Sequence, residues 1–217
     1  MGILAGTGAP FWLVSAVAAL AYGLVLQFRP VSPFRTVVKT LGVAVLALLA
    51  FLSGAPVLLV AGLCLSALGD AFLAGDPRRM LPFGLASFLA AQLVYAAFFL
   101  EIGGVGAVAH APWRAAGFLV ALGLSGGLLA FLWKDLGALR PAVIAYSLAI
   151  SAMVGAAFTL PPQHAAATVG AVLFMASDGV LSVRLFRIGE RPHALADHAV
   201  WWLYILGQMG IAYAFLV

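Results

Sequence analysis

Charge is what this 217-residue sequence has least of. Only 8% of its residues are Asp, Glu, Lys or Arg, against about 25% in ordinary soluble domains. Hydrophobic residues make up 65%, and the mean hydropathy is +1.15. A soluble protein of this length has too little interior to hide so much apolar surface, which excludes a soluble enzyme. The same apolar content excludes intrinsic disorder. Cysteine is nearly missing: Cys64 stands alone in an apolar run, so no intramolecular disulfide forms. No phosphate loop or dinucleotide fingerprint occurs. Met1 to Pro10 has no Lys or Arg, so the basic region of a secretory signal peptide is missing. The first apolar run is therefore expected to stay in the mature protein. The basic excess is small, 11 Lys and Arg against 7 Asp and Glu. In a membrane protein such an excess orients the chain, so no nucleic-acid partner is expected.

What is there is a series of apolar runs with short polar breaks. Spans are expected at about 11–28, 36–52, 56–73, 81–100, 113–133, 141–160, 165–186 and 199–216. The breaks carry turn residues: Arg29-Pro30, Ser32-Pro33, Ser53-Gly54-Ala55-Pro56, Gly75-Asp76-Pro77 and Pro161-Pro162. Each run can cross about 30 Å of hydrocarbon as a helix, the second barely. The runs are continuously apolar and do not alternate, which points to helices rather than barrel strands. The expected fold is an all-α integral membrane bundle of eight transmembrane helices, a single domain over residues 1–217 lying in a lipid bilayer.

Basic residues set the expected orientation. Arg29, Arg35, Lys39, Arg78, Arg79, Lys134, Arg140, Arg184, Arg187 and Arg191 follow odd-numbered spans, and only Arg114 lies on the other side. Ten against one predicts both termini on the non-cytosolic side. Without the span-end residues Lys39, Arg184 and Arg187 the ratio is still seven to one. Ser66-Ala67-Leu68-Gly69-Asp70 and Phe174-Met175-Ala176-Ser177-Asp178 echo each other, as two parallel four-helix halves would. Chance in Ala- and Leu-rich helices is the better explanation of so short an echo.

Three ionisable residues lie inside apolar runs: Lys39, Asp70 and Asp178. Each costs roughly 2.5–3.5 kcal/mol at a helix centre, less near an end. At 1.5 Å per residue, Asp70 lies about 5 Å, Asp178 about 12 Å and Lys39 about 5–7 Å in from the cytosolic end of its span. The three are thus expected to share a water-accessible cavity in the cytosolic half. Lys39 also reads as a snorkelling interface lysine, and Asp70 as a solvated helix-end acid. Gln92 and Tyr95 lie one turn apart on span four, as Tyr204 and Gln208 do on span eight, and Tyr146 lies on span six. They either bond between helices or line the cavity with the acids.

Two motifs point elsewhere and are set aside. Gly123-Leu124-Ser125-Gly126-Gly127 matches G-x-S-x-G, which needs a strand–turn–helix elbow to expose its serine. Here it falls mid-helix, where Gly123 and Gly127 have the spacing of a helix-packing pair. His193, Asp197 and His198 share a loop with no third His or Cys near. No metal and no cofactor is expected.

Several stretches carry a likeness. Ala61-Gly62-Leu63-Cys64-Leu65-Ser66-Ala67-Leu68-Gly69-Asp70 resembles the A-G-L-x-x-S-x-x-G-D block of the lysoplasmalogenase family, the YhhN-like multi-span membrane proteins. Gly170 to Asp178 is similar to the family's G-A-x-x-F-x-x-S-D block, and Tyr204 to Gln208 resembles its closing Y-x-x-x-Q. Lys39 matches the lysine opening its second span, with Thr40 in place of the usual proline. Gln92 stands where many members carry a histidine ahead of Tyr95. Glutamine can replace a histidine that hydrogen-bonds, but not one that moves a proton. The likeness covers roughly residues 36–210.

The resemblance implies hydrolysis of the vinyl-ether bond of a lysoplasmalogen, a lysophospholipid substrate, to a fatty aldehyde and glycerophosphoethanolamine or glycerophosphocholine. That chemistry starts with a proton on the enol-ether carbon and needs a carboxylic acid still protonated near neutral pH. Desolvation disfavours a charged carboxyl, and two neighbouring carboxyls titrate as a pair. Asp178 is then the expected acid and Asp70 its ionised partner, with the opposite assignment open. Lys39 would bind the lipid phosphate; Gln92, Tyr95, Tyr146, Tyr204 and Gln208 would position water and glycerol hydroxyls. The competing class is a small-molecule or lipid transporter that uses the buried charges as its path. A transporter needs polar groups in both halves of the membrane, and the outer halves here are nearly bare. Short loops favour a bacterial inner membrane, with the site facing the cytosolic leaflet.

Overall fold

The computed structural model describes residues 8–75, 77–107, 111–189 and 193–217, with only the backbone at 77 and 78. His110, Arg191, Asp76, the first seven residues and the Arg78 side chain lie outside the described set. The described residues form eight long helices and no strand. They are α1 Ala9–Leu24, α2 Pro33–Leu52, α3 Val57–Ala74, α4 Pro77–Gly103, α5 Pro112–Leu132, α6 Arg140–Ala157, α7 Ala165–Val183 and α8 Ala194–Leu216. With their flanking turns, all eight are long and apolar enough to cross a membrane.

Local chemistry sets the ends. Pro33 and Pro112 open α2 and α5, because a first-turn residue has no helical use for its N–H. Ser32 caps α2, its hydroxyl accepting from the Arg35 N–H at 3.2 Å. Between α2 and α3 the chain reverses through Gly54 at φ +67°, a left-handed position that glycine takes without a Cβ clash. The last helix begins five residues before the expected 199. Its first five residues include Asp197 and His198, polar residues that an apolar pattern cannot include, and the His193 ring nitrogen accepts from the Ala196 N–H at 3.2 Å.

The chain divides into two compact units, residues 1–94 with 215–217, and Tyr95–Ala214. In the first, α2 packs against both α1 and α3. The Ser15 hydroxyl donates to the Gly42 carbonyl, and Ser87 on α4 donates to the Leu65 carbonyl of α3 at 2.7 Å. In the second, α6 packs against α5 and α7. Helices α7 and α8 meet at glycine: a Cβ on Gly170 would lie 2.5 Å from the Gly207 carbonyl, and one on Gly207 2.8 Å from the Gly170 carbonyl. Small residues at a crossing let backbones approach where no hydrophobic force drives helices together.

Large apolar side chains face outward: Leu13, Phe51, Val57, Leu119 and Leu124 are all more than half exposed. Lys39, Asp70, Gln92 and Gln208 are buried. In water such a surface would aggregate; in hydrocarbon it is solvated. The helices and this distribution fit a multi-pass membrane protein. One expectation is corrected. A Cβ on Gly123 or Gly127 meets nothing within 4 Å, so that pair packs against no neighbour among the described residues. Both glycines are exposed on the outer face of α5. Ser125 points the other way, buried and accepting from the Ser151 hydroxyl at 2.8 Å.

Candidate active site

In the first unit the expected residues Lys39 and Asp70 come together. Lys39 Nζ lies 3.7 Å from Asp70 Oδ1, with the lysine 8% and the aspartate 1% exposed. That separation exceeds an ordinary N–H···O bond, so the contact is chiefly one of charge. A snorkelling lysine keeps its ammonium in solvent; this one is buried, and it also lies 5.6 Å from the centre of the Tyr22 ring. Asp70 sits one turn before Ala74, the last residue of α3. Its preceding glycine has a packing reason: a Cβ on Gly69 would come within 2.7 Å of the Phe88 ring. The glycine thus lets α4 lie close beside the acid. Gln92, on the same helix as Phe88, is fully buried.

The second unit holds the other acid. Asp178 Oδ2 accepts from the Tyr146 hydroxyl at 2.7 Å, and the aspartate is 9% exposed. It lies about 15 Å of helix rise before Ile188, where the π-helical turn Arg184–Ile188 ends. The motif around it reads directly as structure. Gly170 admits α8, Phe174 meets the Tyr204 ring edge-on at 5.5 Å, and Ser177 donates to the Val200 carbonyl at 2.8 Å. These contacts fix the rotation of α7 and hence the direction of Asp178. Tyr95 donates to Gln208 Oε1 at 2.8 Å, both fully buried. Tyr204 packs on Trp201.

Of the residues weighed for a metal, Asp197 and His198 lie on α8, and two ion pairs stand near that end of the unit. Asp197 pairs with Arg184 at 2.8 Å, and Arg187 pairs with Asp135 at 2.9 Å. Among the described residues no group of three His, Cys, Asp or Glu side chains converges to hold a metal ion.

Sequence reasoning passed over three residues. Ser177 read only as part of a motif. Tyr22 was hidden in the first apolar run, whose aromatics look alike until their neighbours are known. Arg35 counted only as a topogenic charge, although its i, i+4 spacing from Lys39 put both cations on one face.

Each unit thus holds one buried carboxyl, and the two have different partners. Asp70 faces the Lys39 ammonium, and Asp178 faces the Tyr146 phenol hydroxyl, which can donate to a neutral or ionised carboxyl alike.

The chain is 32% identical to the lysoplasmalogenases of Mycobacterium bovis and Mycobacterium tuberculosis, over 94% of its own length and 83% of theirs. No solved structure matches it. The family model described as the YhhN family matches residues 34–215. By that match, and by its likeness to the two mycobacterial proteins, the chain belongs to the YhhN family.

Proposed function

We propose that this protein is a membrane-embedded hydrolase that cleaves the vinyl-ether bond of lysoplasmalogens, releasing a fatty aldehyde and glycerophosphoethanolamine or glycerophosphocholine. The observation that carries the reading is the likeness to two lysoplasmalogenases along nearly the whole chain. Asp178 acts as general acid. It protonates the enol-ether carbon remote from oxygen, leaving an oxocarbenium ion. Water adds to the carbon bonded to the ether oxygen, and the hemiacetal collapses to the aldehyde and a free glycerol hydroxyl. Asp70, kept ionised beside Lys39, stabilises the cation or takes the proton of the attacking water. Tyr146 orients the Asp178 carboxyl. Tyr95, Gln208, Tyr204 and Gln92 position water and the glycerol hydroxyls; for Gln92 this is a hydrogen-bonding role in place of the histidine of many relatives.

Isotopes test this route. With purified protein and a lysoplasmenyl lipid in heavy water, the aldehyde, trapped at once, is expected to carry one deuterium on its α-carbon. Turnover should slow, because proton transfer to carbon is a difficult step. In heavy-oxygen water the label is expected in the aldehyde. Label in the glycerol oxygen instead means cleavage on the other side of the ether, and the role of Asp178 is lost.

The site is proposed to open to the cytosolic leaflet of a bacterial inner membrane, with both termini outside. The ten-to-one bias of Lys and Arg supports this. A reporter that fluoresces only in the cytosol is expected to be dark when fused after Val217 and bright when placed at Gly189. A bright C-terminal fusion reverses the orientation.

A further inference from the structure

Among the described residues, Arg35 is tied into the end of the first unit without a carboxylate. Its Nε donates to the Leu26 carbonyl at 3.1 Å, one Nη to the Ala74 carbonyl at 2.9 Å and the other to the Tyr22 hydroxyl at 3.3 Å. A guanidinium has five N–H donors in a planar fork, so two remain beyond these three bonds. Its carbon lies 5.6 Å from the centre of the Tyr22 ring, the same distance as Lys39 Nζ. Two cations therefore share one aromatic ring, on adjacent turns of α2. Asp70 offsets one of them, and among the described residues no carboxylate pairs with Arg35.

The cluster of Arg35, Lys39 and Asp70 thus carries a surplus of one positive charge at a half-buried place. Arg35 also stands in the first turn of α2, which holds no acidic residue. A cation there opposes the helix dipole, whereas an anion suits both the dipole and the free end of the fork.

We propose that Arg35, braced by Tyr22 and by the Leu26 and Ala74 carbonyls, is the anchor for the singly charged phosphodiester of the one-chain lipid, with Lys39 held back from that task by Asp70. The inference rests on the lysoplasmalogen reading for the identity of the lipid, but not for the anion it binds. It shifts the phosphate contact expected of Lys39 to a residue one turn away. It also divides the labour: Lys39 serves the acid, and Arg35 sets specificity for phosphorylated over neutral lipids.

Binding without turnover tests it. The full chain, in a nonionic phosphate-free detergent, is titrated with a saturated 1-alkyl lysophosphatidylcholine, which has no vinyl ether, and with the matching 1-alkylglycerol. The native chain is expected to prefer the phosphorylated lipid by about tenfold or more, the scale of a charge-assisted contact. Arg35→Gln is expected to erase that preference while leaving 1-alkylglycerol binding unchanged. Should Arg35→Gln fail to fold, Arg35→Lys, which keeps the charge but not the fork, is expected to lose most of the preference. Glycerophosphocholine should compete with the phosphorylated lipid where the same concentration of inorganic phosphate does not. No preference in the native chain, full preference in the folded variant, an equal loss of both lipids, or stronger competition by inorganic phosphate each overturns the proposal. Aldehyde release from a lysoplasmenyl lipid is read separately, so a failure of the hydrolase reading is distinguishable from a failure of the anchor.

Discussion

Asp178→Asn is expected to lower aldehyde release by about 10²–10⁴-fold, the usual contribution of a general acid, with little change in thermal stability. The amide has the carboxyl's size, and its oxygen still accepts from Tyr146; what it lacks is a proton to give. Asp70→Asn is expected to be as inactive but also less stable. It leaves the buried Lys39 ammonium without its counter-charge, and breaking one side of a buried pair costs about 3–5 kcal/mol. The two variants should therefore share a rate loss and differ in melting temperature. Ser125→Ala is the control. Its hydroxyl is hydrogen-bonded to that of Ser151, so activity should persist even though Gly123–Gly127 matches a serine-hydrolase pattern. Loss of activity in Ser125→Ala, with either Asp variant active, overturns acid catalysis by the two aspartates.

The second large effect is steric. Gly170→Ala is expected to destabilise the protein by about 1–3 kcal/mol, the range for overpacking, and to reduce turnover with it. The added carbon would lie 2.5 Å from the Gly207 carbonyl and 2.9 Å from the Ile211 nitrogen. Both are backbone atoms that move only if the helices part. Parting them would turn α7, on which Phe174 and Ser177 are held by contacts to α8, and Asp178 would turn with it. The same change at Gly123, where the new carbon meets nothing within 4 Å, should be neutral or slightly stabilising, since alanine favours a helix by up to about 1 kcal/mol. Thermal melts in detergent compare the two. A stable Gly170→Ala would mean that α7 and α8 are not locked at this crossing.

Read as sequence, Gly123 and Gly127 looked more like a packing pair than Gly170 did. The structure reverses that order. Spacing along one helix states which residues share a face, but not whether another helix lies against it. Lys39 shows the same boundary: one apolar run cannot say whether its lysine turns to solvent or to an acid on the next helix. Tyr22 and Arg35 lay beyond sequence reasoning because their roles depend on carbonyls and rings brought close only by folding.

The number of helices, their approximate positions and the isolation of Lys39, Asp70 and Asp178 in apolar surroundings were legible from the residues alone. In a bilayer, twenty consecutive apolar residues have essentially one way to satisfy their backbone, and an intramembrane charge is too costly to stand there without a use. The partners of those charges were not legible. Asp70 with Lys39, Asp178 with Tyr146 and Tyr95 with Gln208 were decided by helix rotation and closeness of approach. Those depend on which small residues meet at a crossing, and no order along a single chain records such a meeting.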